Sequence, residues 1–228
     1  MKVTYRSDSA CPYCYIGETR LKNAAKAAGV ADELELEMRA FELNPEAPHE
    51  VVGPTLDRFA AKYGLTKEQA AERIAGISQM GCGEGIDFNY ATTLNTNMLD
   101  AHRLTKLAHD KGVEGIEELL YAAYFTNNEV LADHGVLRRI AGEVGLDATD
   151  VERVVESAEY EAEVRAEARA AYALGVHAVP FFVVDGKYAI QGCYPTDEME
   201  RVLEKAKADG LAEGAAEGMS CGPDGCAF

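Results

Sequence analysis

Hydrophobic and polar positions alternate at the start of the chain, with Val3 and Tyr5 set between Lys2, Thr4 and Arg6, and this predicts a strand over residues 2–6. Residues 7–10 form a short polar loop. A helix then opens at Cys11-Pro12, with proline at an early position where its missing N–H costs nothing. Leu21, Ala24, Ala25 and Ala28 carry the helical period to Gly29. Leu34, Leu36 and Met38 alternate with Glu33, Glu35 and Glu37 in a second strand, which runs towards Phe41 and Leu43 and stops at Asn44-Pro45. From about residue 45 to about 174 the period is helical. Pro45, Pro48, Gly53 and Pro54 mark a loop entry. Thr66 and Gln69 fit a capping box for a helix to about Met80, broken by Gly81, Gly83 and Gly85. Further helices are predicted over about 95–110, through Ile116 to Tyr124, from near Asp133 and Asp150, and over about 158–173. At Phe181 the period returns to strand. Residues 181–184 and 187–191 flank Asp185-Gly186 as a hairpin, and Thr196 caps a last helix with Met199, Val202, Leu203 and Ala206 facing the core.

This order predicts an α/β chain in which strand–helix units at both ends share one sheet and enclose an all-helical lobe. The expected division is a discontinuous core of residues 1–44 and 174–208, an insertion over 45–173, and a flexible tail over 209–228 that contains Cys221 and Cys226. At 228 residues, 47% hydrophobic and 27% charged, the chain is an ordinary globular one with room for a sizeable core. Its net charge of −17 (22 basic against 39 acidic residues) argues against binding nucleic acid or an anionic membrane, because phosphate contacts need a basic face. Neither a secretory leader nor a membrane-length apolar window is present, so the expectation is a cytoplasmic protein. In that compartment, paired cysteines among the six point to redox chemistry or metal rather than structural disulfides.

Cys11-Pro12-Tyr13-Cys14 stands where the first strand gives way to the first helix. The spacing lets both sulfurs meet on the first helical turn, so a small disulfide ring can close. The free N–H groups and dipole of the helix N-terminus favour negative charge on Cys11. Thiols so placed titrate about one to five units below the free value near 8.5. Cys11 is then the attacking thiolate, and Cys14, deeper on the helix, resolves the mixed disulfide. The motif alone leaves a structural or zinc-binding pair open, since half of a zinc site has the same spacing. Val179-Pro180 is the second feature, just ahead of the third strand. A proline is allowed at a strand start, and an X-Pro bond can be cis. The Val179 backbone would then face the dithiol and pair with an incoming peptide.

The motif Cys11-Pro12-Tyr13-Cys14, the long helical insertion, and Gly175-Val176-His177-Ala178-Val179-Pro180-Phe181-Phe182 with Gly192 together resemble the DsbA-like thioredoxin superfamily. Phe41-Glu42-Leu43-Asn44-Pro45, Asn95-Thr96 with Ala101-His102-Arg103-Leu104, and the Cys221 and Cys226 pair are similar to features of its FrnE-type branch. The resemblance implies a thioredoxin-like core with an inserted helical lobe, and thiol–disulfide exchange on protein disulfides, with isomerase activity included. It implies Cys11 as nucleophile, Cys14 as resolver, Pro180 as the cis-proline and the tail pair as an auxiliary redox site. No cofactor or metal is expected beyond the redox-active disulfide. Glutathione is admitted as co-substrate, and glutathione or a thioredoxin-type protein as reductant. The expected assembly is a monomer or homodimer.

The central dipeptide Pro12-Tyr13 is that of glutaredoxins, so no strongly oxidising character is carried over. His177 precedes Val179-Pro180 and is either a solvated loop residue or an imidazole that favours the Cys11 thiolate. Cys193 follows Gly192 in a loop expected to border the site, where it can trap or modulate Cys11. Cys82 lies at a helix end with no assigned chemistry, as do His49, His102, His109 and His134. The acidic run from Glu152 to Glu167 is expected to be a solvated face. The tail thiols are either a relay to Cys11 and Cys14, incidental, or the other half of a zinc site. Two further functions stay open: a glutathione-dependent kappa-type transferase or 2-hydroxychromene-2-carboxylate isomerase, against which the thiols of both Cys11 and Cys14 count, and a chaperone that holds peptides in an apolar groove.

Overall fold

Both ends of the chain build one sheet. The computed structural model describes residues 1–218, so Cys221 and Cys226 lie outside the described residues. Strands β1 (Lys2–Ser7), β2 (Glu35–Ala40), β3 (Phe181–Val184) and β4 (Tyr188–Gln191) lie in the order β2-β1-β3-β4. β1 runs parallel to β2, with Val3 opposite Leu36, and antiparallel to β3, with Tyr5 opposite Phe182. The β3–β4 hairpin turns on Asp185 and Gly186, at φ 46° and 70°. Two successive residues of positive φ make the tight turn whose twist matches that of the flanking strands.

Helix α1 (Pro12–Ala27) connects β1 to β2 and packs on the last helix, α9 (Thr196–Gly218). Val3, Tyr5, Leu21, Met38, Phe182, Ile190, Met199 and Leu203 are buried together between these helices and the sheet. The stretch between β2 and β3 contains no strand among the described residues. It holds α2 (Thr55–Tyr63), α3 (Lys67–Gly83), α4 (Leu99–Asp110), α5 (Ile116–Tyr121), α6 (His134–Glu143), α7 (Ala148–Val155) and α8 (Glu161–Ala173). Their buried faces form one cluster with Cys11, Cys14, Ile16, Phe41 and Val179, so the helical lobe and the first turn of α1 share a core.

Several boundaries differ from the pattern. The pattern marks no separate helix at α2, because its amphipathic signal is short and follows a proline-rich loop; left-handed Gly64 at φ 63° closes it. Helix α3 runs through Gly81 to Gly83, since the Phe88 ring lies where a Gly81 Cβ would be, 2.6 Å away, and packing there holds the helix. Helix α4 starts at Leu99 rather than near residue 95: the Asn97 side chain donates to the Pro45 and Ala47 carbonyls and accepts from Leu99 N, fixing a non-helical approach. After Tyr121 the helix widens into a π-turn over Ala122–Thr126. Helix α9 continues to Gly218, past the expected start of the tail at 209. The acidic run is only partly a solvated face. Glu167 accepts from Ala40 N at 2.7 Å and from Arg39 at 2.9 Å and also pairs with Lys106, tying α8 to β2.

Candidate active site

Cys11 caps helix α1 from an extended conformation, φ −91° and ψ 112°, with Pro12 in the first helical turn. Its carbonyl accepts from Cys14 N at 3.1 Å and Tyr15 N at 3.4 Å, and its own N–H donates to Asp8 O at 2.9 Å. The Asp8 carboxylate accepts from Ala10 N at 2.8 Å and Leu43 N at 2.7 Å, pinning the loop after β1 to the chain leaving β2. Burial pushes the Asp8 carboxyl above its ordinary range, against the pull of nearby His102.

The Cys11 thiol donates to the Val179 carbonyl at 3.6 Å. The Val179–Pro180 bond is cis, as the sequence allowed, and Gly192 N donates to Pro180 O at 2.8 Å, tying that loop to the end of the hairpin. Helix α1 approaches the loop so closely that a Cβ at Gly17 would sit 2.9 Å from Pro180 Cγ and 3.3 Å from Cys193 Cβ.

The two thiols are not equivalent. Cys11 lines a cavity of about 880 Å³, shared with Tyr13, His177 and Val179, and Cys14 is not part of that wall. Both residues are buried, Cys11 2% and Cys14 1% exposed, and Cys14 lies behind, in contact with the Cys11 and Ser7 side chains. Burial first, then Cys11, push its thiol well above the ordinary value. Ser7 Oγ in turn hydrogen-bonds the Tyr121 hydroxyl, and the Tyr121 ring stacks on Tyr15 at 4.9 Å. One turn along α1, buried Glu18 accepts from the Tyr5 hydroxyl at 3.0 Å and from Lys22 Nζ at 2.7 Å, and Lys22 also reaches Glu118. Burial raises the Glu18 carboxyl to about 7 despite Lys22.

The fold brings together Cys11, Pro12, Tyr13, Cys14, His177, Val179 and Pro180, the residues to which the sequence points. Tyr13 and His177 are exposed at the cavity, and the His177 ring tilts against Tyr172 at 5.8 Å. Cys193 is half-buried against α1 near Gly17 rather than in the cavity wall. Burial pushes its thiol up, and its carbonyl accepts from Arg20 at 2.8 Å. Cys82 is exposed at the end of α3. His109 and His134 sit in pairs with Glu117, 2.5 Å, and Asp100, 3.0 Å. Among the described residues no group of three His, Cys, Asp or Glu is placed to hold a metal ion, and no helix is long and apolar enough to cross a membrane. Ser7, Gly17, Glu18, Tyr121 and the cavity residues of α2 and α3 belong to the site without a sequence motif to mark them. Ser7, Gly17 and Glu18 lie close to the cysteines along the chain, whereas Tyr121 and the residues of α2 and α3 reach the site only through the fold.

The model of the DSBA-like thioredoxin domain family matches residues 2–204. The crystal structure described as a probable DsbA oxidoreductase, SCO1869 from Streptomyces coelicolor, is similar with TM-score 0.85 and 34% identity, covering 100% of this chain and 99% of that one. The uncharacterized protein YwbO of Bacillus subtilis is 26% identical over 208 residues, covering 86% of this chain and 92% of YwbO. The cytosolic disulfide reductase DsbM from Pseudomonas aeruginosa, solved with GSH, shares the fold at TM-score 0.60 and 16% identity, covering 90% of this chain and 98% of that one.

Proposed function

Because the chain belongs to the DSBA-like thioredoxin domain family, whose members are thiol oxidoreductases, we propose that it exchanges or isomerises disulfides of proteins and peptides through Cys11 and Cys14. The observation that carries this reading is the asymmetry of the pair: Cys11 lines the cavity at a helix N-terminus, and Cys14 lies directly behind it, off the cavity wall. Cys11 attacks a substrate disulfide, forms a mixed disulfide and releases one substrate thiolate. Cys14 then attacks the Cys11 sulfur, closes the Cys11–Cys14 ring and releases the second. Keeping Cys14 protonated until that moment favours the mixed disulfide, so substrate has time to rearrange, which suits an isomerase. The Val179 carbonyl, already an acceptor for the Cys11 thiol, is the backbone group placed to receive a substrate N–H. DsbM is named a cytosolic disulfide reductase and was solved with GSH. That likeness supports the reading we propose, action in the cytoplasm with glutathione or a thioredoxin-type protein returning the chain to the dithiol.

The test equilibrates the protein in graded glutathione buffers, quenches with an alkylating agent and maps each cysteine by mass spectrometry. A reversible Cys11–Cys14 disulfide is expected. Cys11→Ser is expected to abolish disulfide reduction, and Cys14→Ser to accumulate a mixed disulfide on Cys11. Full reductase activity in Cys11→Ser would sink the reading.

A further inference from the structure

Two buried hydroxyls stand behind the dithiol, at positions that packing alone would fill with apolar side chains. Ser7, 0% exposed, ends β1 on the same inward face as Val3 and Tyr5. Its carbonyl accepts from Phe41 N at 2.8 Å, which fixes the strand end and with it the side chain. Tyr121, 2% exposed, is the last residue of α5, and its hydroxyl meets Ser7 Oγ. Its ring stacks on Tyr15 at 4.9 Å with the planes 11° apart. The π-turn over Ala122–Thr126 begins at the next residue, and such turns recur at functional sites. In a purely structural arrangement the two hydroxyls would satisfy one another. Here the chain has a third member: Ser7 Oγ is also in hydrogen-bond contact with the Cys14 sulfur, which the Asp8 N–H reaches as well. Both contacts favour the thiolate and oppose the burial that keeps Cys14 protonated. Burial first, then Cys14, push the Tyr121 phenol well above its ordinary value, so Tyr121 keeps its proton and remains a donor. With Tyr121 donating to Ser7 Oγ, the Ser7 proton is the one directed at the Cys14 sulfur.

We infer that Ser7 and Tyr121 are positioning residues for the resolving step: Tyr121 orients the Ser7 hydroxyl, which donates to the Cys14 sulfur as that sulfur takes on negative charge. The inference deepens the proposed function and rests on Cys14 being the resolving thiol. While substrate is disulfide-bonded to Cys11 it occupies the cavity, and little water is left to solvate charge on Cys14 behind it. A donor already in place does the work of that water without having to reorganise. Cys14 gives up its proton to solvent, and an electron pair on its sulfur makes the new bond to Cys11 Sγ. The bond between Cys11 and the substrate sulfur breaks, and its electron pair leaves on that sulfur, which takes up a proton from solvent. Cys14 is oxidised to the disulfide, the substrate sulfur is reduced to a thiol, and neither hydroxyl is consumed.

The test mixes the reduced full chain with excess hydroxyethyl disulfide, quenches in acid at timed intervals, alkylates and maps each cysteine by mass spectrometry. This separates formation of the mixed disulfide on Cys11 from closure of the Cys11–Cys14 ring. Ser7→Ala is expected to slow closure relative to formation about 10- to 100-fold, the worth of a hydrogen bond to a charged group. Tyr121→Phe keeps the stacked ring and should slow closure about 3- to 10-fold, the worth of a neutral hydrogen bond. Ser7→Thr keeps the hydroxyl and should close the ring at close to the wild-type rate. In a Ser7→Ala background Tyr121→Phe should add nothing, because it acts through Ser7. The pH midpoint of closure should rise in Ser7→Ala and in Tyr121→Phe. The other titratable side chains facing the pair are Cys11, which has no proton to lose in the mixed disulfide, Tyr5 and Glu18. The rise should therefore persist in a Glu18→Gln background; a rise that vanishes there assigns the effect to Glu18 and overturns the inference. A closure-to-formation ratio unchanged in both Ser7→Ala and Tyr121→Phe, or lost as fully in Ser7→Thr as in Ser7→Ala, also overturns it and leaves the dithiol chemistry standing. If the wild type closes no Cys11–Cys14 ring, the proposed function falls together with the inference.

Discussion

At the scale of single residues, the site works by separating two identical side chains. Three positions along α1 take Cys14 from the cavity wall into contact with Ser7 and, through it, Tyr121. Glu18, one turn further, is the more exposed to pH. Its folded value of about 7 lies above its ordinary 4.5, so the folded protein holds that proton more tightly than the unfolded chain. The resulting stability is fully present below about pH 4.5 and is lost as pH rises through about 7, an effect of up to about 3 kcal/mol. Lys22 is raised from an already high value and titrates far above this window. Tm measured from about pH 5 to about pH 8 should therefore fall more steeply in the wild type than in Glu18→Gln, and parallel curves would refute the assignment. The cysteines were legible in sequence because their spacing is a signal. The burial that raises Glu18 was not, because Tyr5 and Glu117, which surround it with Lys22 and Glu118, arrive from other elements.

At the scale of elements, the site depends on how closely α1 meets the loop that carries Pro180. Gly17 allows that approach, because a Cβ would press on the proline ring 2.9 Å away, a group with little freedom to move. Alanine has the better helix propensity, yet Gly17→Ala is expected to destabilise by about 1–3 kcal/mol through overpacking. It should also slow Cys11 alkylation or exchange, and a variant at least as stable as wild type would show that the loop yields freely. Phe182, fully buried on β3 and stacked on Tyr5 at 5.6 Å, anchors the sheet that sets this loop. Phe182→Ala should cost about 3–5 kcal/mol in denaturant unfolding. Strands and hairpin were readable from alternation and from Asp185-Gly186. Helix α2 and the run of α3 through Gly81 were not, since Phe88, an aromatic ring several residues away in sequence, holds the glycine in the helix.

At the scale of the whole molecule, core and lobe are joined by a cluster in which Cys11, Cys14 and Val179 pack with the lobe helices. Arg103, buried on α4, pairs with Asp100 at 2.7 Å and donates to the carbonyls of Val154, Ser157 and Glu159, binding the lobe internally. Arg103→Ala leaves Asp100 and those carbonyls short of a donor and is expected to cost about 3–5 kcal/mol. Because the cluster is shared, loss of far-UV helical signal and exposure of Cys14, which lies behind the cavity wall, to alkylation should occur in one transition; two separate transitions would mean the lobe unfolds alone. The sequence by itself determined the strand–helix units at both ends, the helical character of the interior and the dithiol with its proline partner, because periodicity, turn residues and motif spacing are local properties of the chain. Only the tertiary structure decided that Cys14 packs against Ser7 and, through it, Tyr121, and which carboxyl is pushed towards neutrality. Burial and electrostatic neighbourhood are set by elements that meet across long stretches of chain, and no local pattern records them.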